Sequence, residues 1–79
     1  MLEELTKAQR VVGAKQTRRA LAAGQVKKLF LAQDADPALT APLAELARSA
    51  GVPVEEGATM AQLGAACQIA VGAACCAVL

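Results

Sequence analysis

Along this chain the spacing of apolar positions switches back and forth between helical and strand periods. Leu2, Leu5 and Ala8 recur every three residues, which predicts a short amphipathic helix over residues 2–9. Val11 and Val12 follow as a β-branched pair, Gly13 breaks the pattern, and Ala14 to Ala23 is rich in helix formers ending at Gly24, the residue type that follows helix C-termini. Val26 to Ala32 is a mostly apolar run suited to a strand covered on both faces, and Asp34-Ala35-Asp36-Pro37 ends it. The next helix is read from Thr40 as N-cap, with Pro42 in its first turn, to Ala50 before Gly51; Leu39, Leu43, Leu46, Ala47 and Ala50 trace its buried face. Val52-Pro53-Val54 reads as a short strand at an edge. Thr59-Met60-Ala61-Gln62 has the form of a capping box, so a helix should run to about Cys67 with Met60, Leu63 and Cys67 inward. Gly72 to Leu79 is the last strand. Helices and strands thus alternate, which argues for an α/β fold: a three-layer α/β/α sandwich with a mixed four-stranded sheet, one domain over residues 1–79.

Composition narrows the function classes. The chain has 79 residues, 56% of them apolar and 19% charged, too apolar for a disordered tail and too small for two domains. Its longest apolar stretch, Ile69 to Leu79, is about half of the ~20 residues a spanning helix needs, so no membrane association is expected. Met1-Leu2-Glu3-Glu4 lacks the basic-then-apolar order of an export signal, and a cytoplasmic location is expected. There is no His, Trp or Tyr, and Phe30 is the single aromatic; the commonest general base is missing. Cys67, Cys75 and Cys76 have neither metal-type spacing nor basic sequence neighbours and read as small buried hydrophobes. Asp34 and Asp36 read as turn formers and helix caps rather than a Mg²⁺ site. An enzyme, a metal and a cofactor are therefore not expected.

Charge changes the picture. The net value is only +1, yet Lys7, Arg10, Lys15, Arg18, Arg19, Lys27 and Lys28 all precede residue 29 and, against Glu3 and Glu4, leave that segment at +5. The remainder, with Arg48 against Asp34, Asp36, Glu45, Glu55 and Glu56, stands at −4. Such a dipole suits a polyanion at one end, although a solvated basic face has the same composition. Val11 to Leu21 is the most specific segment: a glycine turn is followed by Lys15, Arg18 and Arg19 at helical spacing i, i+3, i+4, with Gln16 and Arg19 three apart. Free N–H groups at a helix start suit phosphate oxygens, and Gln and Arg suit base edges. No second glycine and no Gly-Lys-Ser/Thr follow, so a nucleotide-binding P-loop is excluded.

Five segments together carry a resemblance: Gly13-Ala14-Lys15-Gln16-Thr17 with Arg19; Ala32-Gln33-Asp34-Ala35-Asp36-Pro37 with Leu39-Thr40; Gly51-Val52-Pro53-Val54; Met60-Ala61-Gln62-Leu63-Gly64 with Ala66-Cys67; and Val71-Gly72-Ala73-Ala74. In this order and spacing the chain resembles the L7Ae/L30e superfamily of ribosomal proteins, specifically its small bacterial kink-turn RNA-binding members. The resemblance implies an α/β/α sandwich that binds a sharply bent RNA duplex at tandem sheared G·A pairs. The pairs would be read by Lys15, Gln16 and Arg19, with Gly13 and Ala14 allowing close approach and Arg18 serving a base or phosphate. Archaeal relatives carry Asn and Glu where this chain has Lys15 and Gln16. A second contact is implied from Ile69, Ala70 and Val71, in the loop that supports an extruded base. Here the chain departs from the family pattern, with Gln68 at a usual glycine and Ala70 at a usual Glu; Ile69 and Val71 also suit ordinary core at a strand entrance. Lys27 and Lys28 fit either distant phosphate contact or simple solubility. The partner implied is a ribosomal or structured regulatory RNA, bound by a monomer with or without the ribosome; the competing reading is a protein-interaction or scaffold module in a ribonucleoprotein.

Overall fold

The structure, a computed structural model, describes residues 9–79; the helix read over residues 2–9 lies, but for Gln9, outside the described residues. The elements are β1 (Arg10–Val12), α1 (Ala14–Ala22), β2 (Lys28–Leu31), α2 (Pro37–Ser49), β3 (Val54–Glu55), α3 (Met60–Ala66) and β4 (Cys75–Val78). The strands lie in the order β1-β4-β2-β3; β4 runs antiparallel to both neighbours and β2 parallel to β3, so the sheet is mixed, as expected.

Strand alternation sorts the side chains into two cores. Leu29, Leu31, Cys75 and Ala77 project to the side where Ala20 and Leu21 of α1 and Leu43 and Ala47 of α2 are buried. Phe30, Cys76 and Val78 project to the other, against Leu63, Ala66 and Cys67. These are the three layers. The central strand β4 carries only Cys, Ala and Val because both of its faces are covered at short range.

Apart from single-residue shifts at helix ends, four element boundaries differ from the sequence reading. β2 is Lys28–Leu31 within the run read over 26–32. Helix α2 begins one turn before Thr40: Asp36 is the N-cap, its carboxylate accepting from the Ala38 N–H at 2.9 Å, and Pro37 opens the helix. The Asp-Pro pair is the stronger start signal, since proline at the first position forfeits an N–H that has no intrahelical partner anyway. Pro42 therefore lies inside the helix, on its exposed side. The buried face is also narrower than the stripe read from the sequence: Leu43 and Ala47 are buried, whereas Leu39, Leu46 and Ala50 face solvent. β3 is Val54–Glu55 rather than 52–54, because the Val52 N–H is used to close α2 on the Ala47 carbonyl and Pro53 has no N–H to give. β4 starts at Cys75 rather than Gly72, since the Ala73 N–H is drawn to the Met60 carbonyl at the head of α3.

All three described helices end in the same paired-bond motif. Gly24 N–H reaches the Leu21 carbonyl and Gln25 N–H that of Ala20; Gly51 and Val52 repeat this on Arg48 and Ala47; Gln68 and Ile69 repeat it on Ala65 and Gly64. The motif places its first residue in the left-handed region, φ 71° for Gly24 and Gly51 and 62° for Gln68. Gln68 thus holds a conformation in which its Cβ crowds the following carbonyl. Gln68→Gly is expected to raise unfolding free energy by on the order of 1 kcal/mol, read as a higher urea midpoint; an unchanged midpoint would show that the turn is not strained.

Candidate nucleic-acid interface

The turn into α1 is built by Gly13. Its φ of 95° and ψ of 155° are open only to glycine, and its N–H donates to the Cys75 carbonyl at 3.0 Å while its carbonyl accepts from Thr17. A Cβ at Gly13 would meet no neighbour within 4 Å, so the requirement is conformational. Thr17, Ala20 and Leu21 are buried, and Thr17 Oγ1 accepts a weak hydrogen bond from the Cys75 thiol at 3.7 Å. These anchors set the rotation of the helix. At 3.6 residues per turn, Lys15 and Arg19 then point straight outward, with Gln16 on one shoulder and Arg18 on the other.

Electrostatically, the start of α1 differs from the other two helix starts. α2 is capped by the Asp36 carboxylate. α3 has a complete capping box between Thr59 and Gln62, and its Met60 N–H donates to Asp34 Oδ1 at 2.8 Å. α1 has no side-chain cap and no acidic residue in its first turn. Its first N–H groups and its positive dipole end are thus offered outward beside two guanidinium groups and an ammonium group.

The second predicted segment arrives at the same end of the sheet. Val12, one residue before Gly13, is paired with Cys76, and the loop of residues 68–74 feeds directly into β4. Ile69, Ala70 and Val71 are all exposed, Val71 at 71% and Ile69 at 38%, so neither Ile69 nor Val71 is ordinary core at a strand entrance. The loop is held against α3 by Ile69 N–H on the Gly64 carbonyl and Ala73 N–H on the Met60 carbonyl, both at 3.0 Å. Gly64 makes this approach possible: a Cβ there would overlap the Val71 carbonyl oxygen. A glycine inside a helix is the sequence signal for such close backbone contact, and it escaped the sequence reading, as did the buried anchor Thr17.

Among the described residues, Arg10, Lys27 and Lys28 do not join this surface. Arg10 is half-buried, its guanidinium donating to the Cys67 carbonyl at 3.0 Å. Lys28 pairs with Glu55 at 3.1 Å and lies 5.2 Å from the centre of the Phe30 ring. Both Lys27 and Lys28 sit at the opposite end of the sheet, where Lys27 N–H meets the Val78 carbonyl. The basic segment is therefore not one patch; among the described residues Lys15, Arg18 and Arg19 form its exposed cluster. Beside them a shallow cleft of about 350 Å³ runs between α1 and α2, lined by Lys15, Arg18, Leu39, Pro42 and Leu43. Among the described residues no group of three metal-ligating side chains occurs, and no helix is long and apolar enough to cross a membrane.

A sequence profile of the Ribosomal protein L7Ae/L30e/S12e/Gadd45 family matches residues 2–79. The chain is 46% identical over 69 residues to an RNA-binding protein of Geobacillus sp. strain WCH70, covering 87% of this chain and 84% of the relative. It is 44% identical over 69 residues to the RNA-binding protein YbxF of Geobacillus stearothermophilus, with the same coverage of 87% and 84%. Among solved structures, the Giardia lamblia 15.5kD RNA binding protein superposes with a TM-score of 0.88 at 23% identity, over 98% of this chain and 68% of that one. That likeness supports the shared sandwich.

Gly64→Ala is expected to destabilise the protein by about 1–3 kcal/mol, the usual cost of inserting a methyl where there is no space, and to shift the amide resonances of residues 69–73. Unperturbed stability and spectra would mean that the loop does not lean on α3.

Proposed function

The chain belongs to the Ribosomal protein L7Ae/L30e/S12e/Gadd45 family, and we propose that it is a non-enzymatic RNA-binding protein that recognises kink-turn motifs. Residues 1–79 act as one such domain, as a monomer in the cytoplasm, on a ribosomal or structured regulatory RNA. The observation that carries this reading is the convergence, at one end of the sheet, of an uncapped cationic helix tip and an exposed apolar loop. Relatives named as RNA-binding proteins support it.

The geometry supplies a mechanism. In a regular A-form duplex the major-groove edges lie in a deep, narrow groove, whereas non-canonical purine pairs at a kink open it to a helix end. With Gly13 lacking a side chain, the backbone at Ala14 and Lys15 approaches the RNA closely. Gln16 and Arg19 then read the sheared G·A edges, while Lys15 and Arg18 serve phosphates or bases on the flanks. Ile69, Ala70 and Val71 offer an apolar shelf to the extruded base. Because the protein binds the bent form in preference to the straight one, it shifts the RNA towards the bend and works as a clamp on its architecture.

A scaffold role makes a different demand. The cleft beside α1, floored by Leu39, Pro42 and Leu43, favours that second reading as a protein contact. Gel shifts separate the two. A kink-turn duplex should bind, and the same duplex with its G·A pairs replaced by Watson–Crick pairs should not. Gln16→Ala and Arg19→Ala should each lose about 1–3 kcal/mol on the kink-turn if their base contacts are bidentate. Affinity should fall steeply with salt as phosphate contacts are screened. Equal affinity for the two duplexes would remove kink-turn recognition and leave only general RNA binding, and a flat salt response with weak binding to both would favour the protein contact.

A further inference from the structure

Two of the three thiols are placed together by the fold. Cys67 is the C-cap of α3 and Cys76 lies in β4; their sulfurs stand 3.0 Å apart, within hydrogen-bonding distance and about 1 Å longer than a covalent S–S bond. Cys75 belongs to the opposite face of the sheet, where its thiol donates to Thr17. We propose that Cys67 and Cys76 are a site of reversible thiol oxidation, whose disulfide fastens the end of α3 to the central strand at the base of loop 68–74.

Several observations besides the distance support the pair. The two cysteines bracket the loop, so one bond between them closes it into a ring and removes conformations that the open chain can reach. Cys76 is held in the middle of the sheet by Val12 and Phe30 on either side, while Cys67 sits at a helix end, which can move the short distance needed. Arg10 reaches across from β1 to the Cys67 carbonyl and brings a positive charge to the pair. That charge favours a thiolate. Burial, and then the neighbouring Cys67, act more strongly and push the Cys76 thiol well above its ordinary range. Reaction should therefore be slow at neutral pH and faster in alkali. Cys67 adjoins exposed Gln68, so a small displacement of the loop would admit an oxidant.

The chemistry balances with a peroxide or an azo oxidant. One thiolate attacks hydrogen peroxide to give a sulfenic acid and hydroxide, which takes up the thiol proton as water. The second thiol attacks that sulfur, forms the S–S bond and expels another water. With diamide, the same two electrons and two protons reduce the N=N bond to a hydrazine. A thiol reductant reverses either outcome by exchange.

The test uses the folded protein and diamide at about pH 8, close to the ordinary thiol pKa. The parent should finish as a monomer two hydrogens lighter, with one titratable thiol after denaturation, and dithiothreitol should restore all three. Cys75→Ala, which keeps only the proposed pair, should lose both thiols and show slower hydrogen exchange at amides 68–74. Cys76→Ala, whose remaining thiols face opposite sides of the sheet, should keep both. The proposal is overturned if Cys75→Ala retains its thiols, if Cys76→Ala closes a bond as readily, or if exchange in the loop is unchanged. None of these readouts involves RNA, so they stand or fall apart from the functional reading.

Discussion

Burial of β4 on both faces constrains everything else in the molecule. Cys75, Cys76 and Ala77 are wholly removed from solvent between two hydrogen-bonded neighbours and two helical layers. The neighbouring β2 fills the same two-sided environment with Leu29, Phe30 and Leu31, whereas β4 carries only small or compact side chains, and the helices come close to it. Close helices bring backbone groups within reach of one another. Gly13 can then hydrogen-bond to Cys75, and Thr17 can lie flat on the Cys75 thiol, which fixes where the tip of α1 points. The same closeness on the other face brings Cys67 against Cys76.

Charge placement follows from packing more than from composition. Two cations of the basic first segment are engaged elsewhere: Arg10 serves a carbonyl at the end of α3, and Lys28 serves Glu55. What remains exposed at α1 is modest in number, but it coincides with the only uncapped start among the described helices. Acidic and hydroxyl side chains are spent on the other two starts, where Asp34, Asp36 and Thr59 satisfy the free N–H groups. The distribution therefore concentrates uncapped donors and positive charge at one place, which is how a protein of net charge +1 has a locally positive surface that suits an anion.

The fold class was legible because its signals are local. A β-branched pair before Gly13, a capping box at Thr59–Gln62 and glycines at positions 24 and 51 each depend on a few adjacent residues, and each holds in the structure. The misplaced start of α2 came from weighing Thr40 and Pro42 above Asp36-Pro37, two local signals in competition. Long-range features were not legible. Nothing beside Lys28 in the chain announces Glu55, nothing beside Cys67 announces Cys76, and Thr17, polar and amid cations, gives no local sign of complete burial. At the candidate interface, the residues after Gly13 could be named because they share one turn of helix. The exposure of Val71 could not, because it depends on Gly64 letting the loop lie against α3.

The two halves of the interface also differ in how firmly they are held, and that difference bears on recognition. The α1 tip rests on three buried side chains and a glycine turn locked to β4, so little ordering remains to be lost when a ligand arrives. The loop rests on three backbone hydrogen bonds to α3 and a left-handed Gln68, with its apolar side chains in solvent. Under the proposed function, specificity would rest on the rigid half, where donors are pre-aimed, and the loop would add apolar cover as its exposed side chains lose freedom on a seated ligand. Anything that stiffens the loop in place, whether a relaxed turn at residue 68 or a bond across its base, would then lower the ordering cost without touching a single group on α1.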